Sequence, residues 1–268
     1  SMQYYPIKKS KRPYNTVNNF KDLEKGEIGG FAGYKAGMLQ LVYVDSDKNS
    51  PTFKMEVMTN ATVIECPSLL VCAIRFYKNG ITVGESWGAG INKYVQRKVK
   101  FKENNKSIDD FKEKADDLRL LVATQPWSIG LKKKPEIFEL AVGGKFDDKL
   151  ETAKSLLSKP LDVSSVIKDG NFVDVGAITK GKGFQGSVKR YGVKIYPVRA
   201  SKSRRKFKVV KDPQEVNIPS GYKNYGNLKG SAIILKGSVP GSASRLIIMR
   251  KAIRPTRKAE PVKITLLK

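Results

Sequence analysis

The sequence predicts a mainly β fold with an α/β insertion: a small closed β-barrel, an inserted α/β lobe and basic extensions. Three observations carry this. Short apolar runs rich in Val, Ile, Tyr and Phe, punctuated by Gly and Pro, lie on both sides of a near-neutral segment at 98–158. That segment alone shows helical periodicity. Residues 180–211 hold twelve Lys or Arg and no Asp or Glu.

Residues 1–28 read as a basic, aromatic arm, containing YYPIKKSKRPY. Tyr4, Tyr5 and Tyr14 are costly to leave in water, which favours an arm laid on nucleic acid over a frayed terminus. Residues 29–97 read as β. GGFAGYKAGMLQLVYVD places a Gly-rich turn between two strand-like runs. ATVIECP and LLVCAIRFYKNGITVGESW follow, with Asn79-Gly80 as a hairpin turn.

Residues 98–158 contain 13 basic and 11 acidic residues. SIDDFKEKADDL reads as a short helix with Ser107 as N-cap. LRLLVAT and EIFELAV read as strands. FDDKLETAKSLL puts Phe146, Leu150, Ala153 and Leu157 on one helical face. The Lys132-Lys133-Lys134 run reads first as a solvated turn. From 159 to 268 β character returns in LDVSSVI, NFVDVGAITK, SAIILKGSV, RLIIMRKAI and VKITLL. The barrel is therefore expected over 29–97 and 159–268, with 98–158 inserted and 180–211 as its basic loop.

The charge narrows the function. There are 51 Lys+Arg against 25 Asp+Glu, giving +26. Cations packed as densely as those of 180–211 repel one another unless a polyanion neutralises them, and the glycines there disfavour a helix. This is the pattern of a segment that follows a phosphate backbone. The absence of His removes Ser-His and Cys-His catalysis. Cys66 and Cys72 cannot make a four-ligand zinc site, and their apolar surroundings favour buried free thiols over a disulfide. No apolar run is long enough to span a bilayer. No cofactor, membrane or small-molecule substrate is expected.

Gly181-Lys182-Gly183-Phe184-Gln185-Gly186 has the spacing of a dinucleotide-binding loop. No helix-forming stretch follows it, and no acidic residue lies about 20 positions on. Glycine instead lets backbone approach a ligand closely. Lys180, Lys182, Lys189 and Arg190 would then meet phosphates. Phe184 and Tyr191 would stack on bases, with a plug in the barrel an equal reading for Phe184. The same basic run continues through Lys194, Arg199, Lys202, Arg204, Arg205, Lys206 and Lys208. Lys8, Lys9, Lys11 and Arg12 of the arm and a C-terminal cluster of Arg245, Arg250, Lys251, Arg254, Arg257 and Lys258 complete the expected RNA-binding set.

FVDVGAITKGKGFQGSVKR (172–190) resembles the signature of the universal large-subunit ribosomal protein L-three family. GFAGYKAGM (30–38), KKKPEIFELAVGG (132–144) and KGSVPGSASRLI (236–247) are similar to other segments of that family, in the same order, and QYYPIKKSKRPY (3–14) is similar to its basic N-terminal region. The insertion is similar to the archaeal and eukaryotic branch. The resemblance implies a translation-protein-like barrel, binding to large-subunit ribosomal RNA and to neighbouring large-subunit proteins, and a cytoplasmic place in the ribosome. It also implies a role in early subunit assembly and no enzymatic activity. Two readings outside the family stay beside it: a non-ribosomal RNA-binding module, and a nucleotide-dependent enzyme using the glycine loop. One departure is large. Family members send a long finger toward the peptidyl-transferase centre, and here Arg205 runs directly into Lys206.

Overall fold

Antiparallel pairing joins every strand in the described residues. The structure is a computed structural model describing residues 10–16, 23–46, 48–89, 91–99, 107–183, 185–186, 206–210, 216–255 and 264–267. In chain order the strands are β1 (Gly30–Val44), β2 (Glu56–Glu65), β3 (Leu69–Lys78), β4 (Ile81–Trp87), β5 (Asp117–Ala123), β6 (Ile137–Ala141), β7 (Pro160–Leu161), β8 (Val173–Gly176), β9 (Lys206–Val210), β10 (Ala232–Lys236), β11 (Leu246–Lys251) and β12 (Ile264–Leu267). The helices are α1 (Lys93–Gln96), α2 (Asp109–Lys112), α3 (Phe146–Leu156) and α4 (Val163–Val166). The mainly β expectation holds.

The first sheet runs β8-β11-β1-β2-β10-β9, with β12 beside the far half of β1. The second runs β4-β3-β5-β6, with β7 on β3. Both sheets feed one core. Phe31, Ile64, Ile233 and Ile247 from the first cluster with Leu69, Ile74, Leu120 and Phe138 from the second. In β10 the side chains alternate: Ile233 and Leu235 enter this core, while Ala232 and Ile234 enter a second cluster on the opposite face. Val216, Tyr222 and Leu228 cover that opposite face. With both faces covered, β10 is apolar throughout rather than alternating.

Strand pairing crosses the composition boundary at 97/98. β3, expected in the barrel with its hairpin partner β4, pairs with β5 of the 98–158 segment, which in turn pairs with β6. The composition shift at 98 marks a change in surface charge, whereas the sheet is built by backbone hydrogen bonds that composition does not report. GFAGYKAGMLQLVYV is a single 15-residue strand, not two runs around a turn. Its glycines mark crowding. A Cβ on Gly33 would lie 2.8 Å from the Glu65 carbonyl oxygen, and one on Gly37 would lie 2.6 Å from the Tyr222 ring. LDVSSVI also departs from its strand reading: after β7, Asp162 opens the single turn of α4.

Other local expectations hold. Asn79 (φ 48°) and Gly80 (φ 77°) make the β3–β4 turn in the left-handed conformation that a tight hairpin requires. α3 turns Leu150 and Ala153 into the core, with Phe146 packed alongside. One does not: at α2 the N-cap is Ile108, with no side-chain cap bond, rather than Ser107, whose N–H donates to the Asp110 carboxylate at 3.0 Å. Cys66 and Cys72 are free, buried thiols.

Candidate nucleic-acid interface

The basic segment leaves the first sheet from β8 and re-enters at β9. These are the two end strands of the pairing path. β8 is held by β11, and β9 by β10. The segment is therefore anchored at both ends to one sheet.

The stem of the loop is clamped. Arg245 Nη1 donates to the Ile178 carbonyl at 2.7 Å and to the Thr179 carbonyl at 2.8 Å. Arg245 follows a turn that is itself pinned. Lys35 Nζ donates to the Val239 carbonyl at 2.6 Å and to the Gly241 carbonyl at 3.2 Å. The Ser244 N–H donates to the Lys35 carbonyl, and the Lys35 N–H to the Arg245 carbonyl. Gly241 sits at φ 97°, a backbone conformation that favours glycine, while a Cβ there would meet the Ile178 oxygen only at an ordinary 3.5 Å.

Beyond this clamp the loop is open. Lys180, Gly181, Lys182, Gly183 and Gly186 are exposed. A Cβ on Gly181, Gly183 or Gly186 would meet no atom of a described residue within 4 Å. Gly183 sits at φ 64°, which favours glycine; Gly181 and Gly186 carry no such requirement. Open space around them is what a close-approaching ligand would use.

The expected RNA-binding cations separate into two groups. Lys11, Lys180, Lys182 and Arg254 are exposed and make no ion pair with another described residue. Arg12 is exposed beside Lys11. The C-terminal cluster differs. Arg245 is committed to the carbonyls above. Arg250 Nε contacts the Asp174 carboxylate at 3.2 Å, directly across the β11–β8 register. Lys251 Nζ reaches the Glu27 carboxylate at 2.7 Å. Burial works against the Glu27 charge, but the Lys251 ammonium and the Glu24 N–H outweigh it and hold its pKa below the usual carboxylate range. Part of this cluster therefore faces the protein, a role that charge counting does not separate from phosphate contact. Lys206 and Lys208 lie in β9, opposite Leu235 and Ile234. Lys8, Lys9, Lys189, Arg190, Lys194, Arg199, Lys202, Arg204, Arg205, Arg257 and Lys258 lie outside the described residues, as do Tyr4, Tyr5, Phe184 and Tyr191.

The arm is tied down by an aromatic that the sequence reading assigned to nucleic acid. Tyr14 is buried, its hydroxyl donates to the Ile137 carbonyl at 2.7 Å, and its ring tilts against Phe138. Burial raises its pKa. This places Lys11 and Arg12 at the lip of a cleft of about 460 Å³ with Arg75, Lys98, Glu136 and Glu139. The sheet cations there are largely neutralised. Arg75 pairs with Glu85 and Glu139, Arg119 reaches Glu139 at 3.3 Å, and Lys98 and Lys132 both reach Glu136. Lys132, from the lysine run, is thus a protein contact.

One buried carboxylate was not singled out by the sequence. Glu65, at the end of β2, accepts from the Tyr225 hydroxyl, the Lys229 N–H (2.6 Å) and the Gly230 N–H (2.7 Å). It fixes the 216–230 cover over the second core cluster. Burial, reinforced by Glu65, raises the Tyr225 pKa. An acidic residue closing an apolar strand, ATVIE, was the available signal.

The family model described as Ribosomal protein L3 matches residues 1–218 and 208–266. The chain belongs to the ribosomal protein L3 family. Among its relatives is the large ribosomal subunit protein uL3 of Picrophilus torridus, 36% identical over 310 residues, covering 99% of this chain and 94% of the relative. The protein of the same name from Methanocaldococcus jannaschii is 34% identical over 303 residues, covering 95% and 90%. That of Nanoarchaeum equitans is 35% identical over 304 residues, covering 98% and 92%. Each alignment is longer than the 268 residues of this chain, so these relatives carry interior stretches that it lacks. The two matched segments overlap at 208–218, close to Arg205-Lys206.

Proposed function

We propose that this chain is a structural constituent of the large ribosomal subunit that binds large-subunit ribosomal RNA and supports early subunit assembly. The observation that carries the reading is the loop after Thr179. It is clamped at its stem by Arg245, lined with glycines facing open space, and armed with Lys180 and Lys182, which pair with no described residue. Backbone N–H groups and lysine ammoniums can then meet successive phosphates without displacing protein atoms. Lys11, Arg12 and Arg254 add further exposed cations, and the sequence of 180–211 supplies more, while Arg245, Arg250 and Lys251 are engaged with the protein itself. The role is structural: the described part of the site offers charge and shape. Neighbouring large-subunit proteins complete its surroundings.

Co-sedimentation tests this. The tagged chain, expressed in an archaeal host, should migrate with large subunits through a sucrose gradient and stay with them in moderate salt. RNA binding without co-migration would favour a non-ribosomal RNA-binding module. Binding of a mononucleotide in place of RNA would favour the enzyme reading.

A further inference from the structure

One-signed charge also gathers outside the expected RNA-binding set. Residues 87–102 and 124–135 hold eight Lys or Arg and no Asp or Glu. The near-neutral total of 98–158 conceals this, because its acidic residues lie only in 103–117 and from 136 onward. The composition boundary at 97/98 also cuts the first of these runs in two.

The fold brings the two runs together. Val95 of α1 is buried in a small cluster with Cys72 and Ala123. Their neighbours Val71 and Val122 point into the shared core, so α1 covers the other face of the second sheet. Two further contacts tie α1 to the turn before β6. The Tyr94 ring stacks on Trp127, with centroids 4.6 Å apart and planes at 13°. Lys98 and Lys132 share the buried Glu136 carboxylate, at 3.2 and 2.7 Å.

Glu136 occupies two of the cations, and four others stay outside. Lys93, Arg97, Lys133 and Lys134 are exposed and make no ion pair with another described residue. The Arg97 guanidinium lies 5.2 Å from the Tyr94 ring centroid, and Lys93 Nζ lies 5.7 Å from it. A ring beneath a cation orders the side chain without neutralising its charge, which lowers the entropy cost of binding an anion. Trp127 and both cations engage the Tyr94 ring, so the site offers charge rather than a bare ring for a base.

The patch adjoins the surface already described. Lys98 and Trp87 line the same cleft as Lys11 and Arg12. Asn15, three residues beyond Arg12, lies against the end of β8: a Cβ on Gly176 would sit 3.2 Å from its side-chain nitrogen. The arm thus runs from beside α1 to the strand that leads into the glycine loop.

We propose that α1 and the 127–134 turn form a second phosphate-binding site, in which Lys93, Arg97, Lys133 and Lys134 hold the backbone of ribosomal RNA. The inference rests on the ribosomal reading above. RNA is the occupant because the patch is cationic throughout and continues from the arm that the same polyanion meets.

Crosslinking and salt dependence test it. A photo-crosslinking amino acid is placed at Lys134 in one variant and at Lys180 in another, in large subunits purified with the tagged chain. Both positions should capture ribosomal RNA. A quadruple variant, Lys93→Ala, Arg97→Ala, Lys133→Ala and Lys134→Ala, is then titrated with full-length large-subunit ribosomal RNA. Its slope of log affinity against log salt should be shallower by about three, at roughly 0.7–0.9 per phosphate contact. The matched control removes four exposed lysines elsewhere, Lys48, Lys78, Lys112 and Lys114, and should change the slope by less than about one. An unchanged slope in the first variant, or an equal change in the control, overturns the proposal. So does a position-134 crosslink to protein alone, or none, while position 180 captures RNA. Failure of the chain to enter subunits overturns the ribosomal reading instead, and the salt slopes then decide this site.

Discussion

The Arg245 guanidinium holds the Thr179 carbonyl at 2.8 Å, one residue before the first lysine of the glycine loop. A residue that charge counting assigns to phosphate is thus engaged with backbone. Its consequence for function is the direction in which Lys180 and Lys182 leave the sheet.

Arg245→Ala should loosen that stem. A hydrogen bond from a charged donor contributes about 1.5–3 kcal/mol, and both carbonyls lose their partner together. Amide exchange over 179–182 and tryptic cleavage after Lys180 and Lys182 should speed up about tenfold or more in the free protein. Unchanged cleavage would mean that the strand pairing of β8 alone sets the stem.

The glycines of the loop make a sharper test. A Cβ on Gly186 would meet no atom of a described residue within 4 Å, and Gly186 carries no positive-φ requirement. Gly186→Val should therefore leave thermal stability nearly unchanged yet weaken RNA binding more than Lys182→Ala, because one lysine is one contact among many. Gly183→Val should lose binding and also strain the backbone at φ 64°. If folded Gly186→Val binds RNA as tightly as the parent chain, close backbone approach is not how the loop works.

Glu65→Ala should be among the most destabilising single changes. It removes the shared acceptor of the part-buried Lys229 and Gly230 N–H groups and the Tyr225 hydroxyl. At about 1–3 kcal/mol per unsatisfied group, a loss of about 3 kcal/mol or more is expected in urea denaturation. Tyr225→Phe, which removes one donor, should cost much less.

Cys72 should resist alkylation. Burial pushes its thiol up to about 12. Iodoacetamide at pH 9 should modify it only after unfolding. The sign follows from proton binding: above the ordinary thiol range the unfolded chain releases this proton and the folded one keeps it. Its contribution to stability therefore falls as pH rises through that range toward 12. Rapid native-state labelling of Cys72 would contradict its burial.

Local structure was legible where local chemistry decides it. The Asn79-Gly80 hairpin, the apolar face of α3 and the strand character of β5, β6, β10 and β11 all follow from propensity and period. What failed depended on residues distant in sequence. Gly33 and Gly37 read as a turn because their true reason, the approach of Glu65 and Tyr222, lies 32 and 185 positions away. The sheet that joins β3 to β5 crosses a composition boundary for the same reason. At the site, the basic loop was plain from charge alone. The division of cations into free Lys180 and Lys182 and committed Arg245, Arg250 and Lys251 was not, because it depends on which carbonyls and carboxylates the fold brings beside them. Tyr14 misled similarly: an aromatic in a basic arm reads as a base-stacking group until Ile137 and Phe138 appear beneath it.

Salt dependence tests the central claim most directly. Affinity should come from many cations meeting phosphates. Binding of the chain to a large-subunit ribosomal RNA fragment should be measured between 50 and 200 mM salt. With roughly 6–10 phosphate contacts, affinity should fall about a thousandfold or more, by analogy with duplex DNA. A nearly flat dependence would contradict the electrostatic account of this surface.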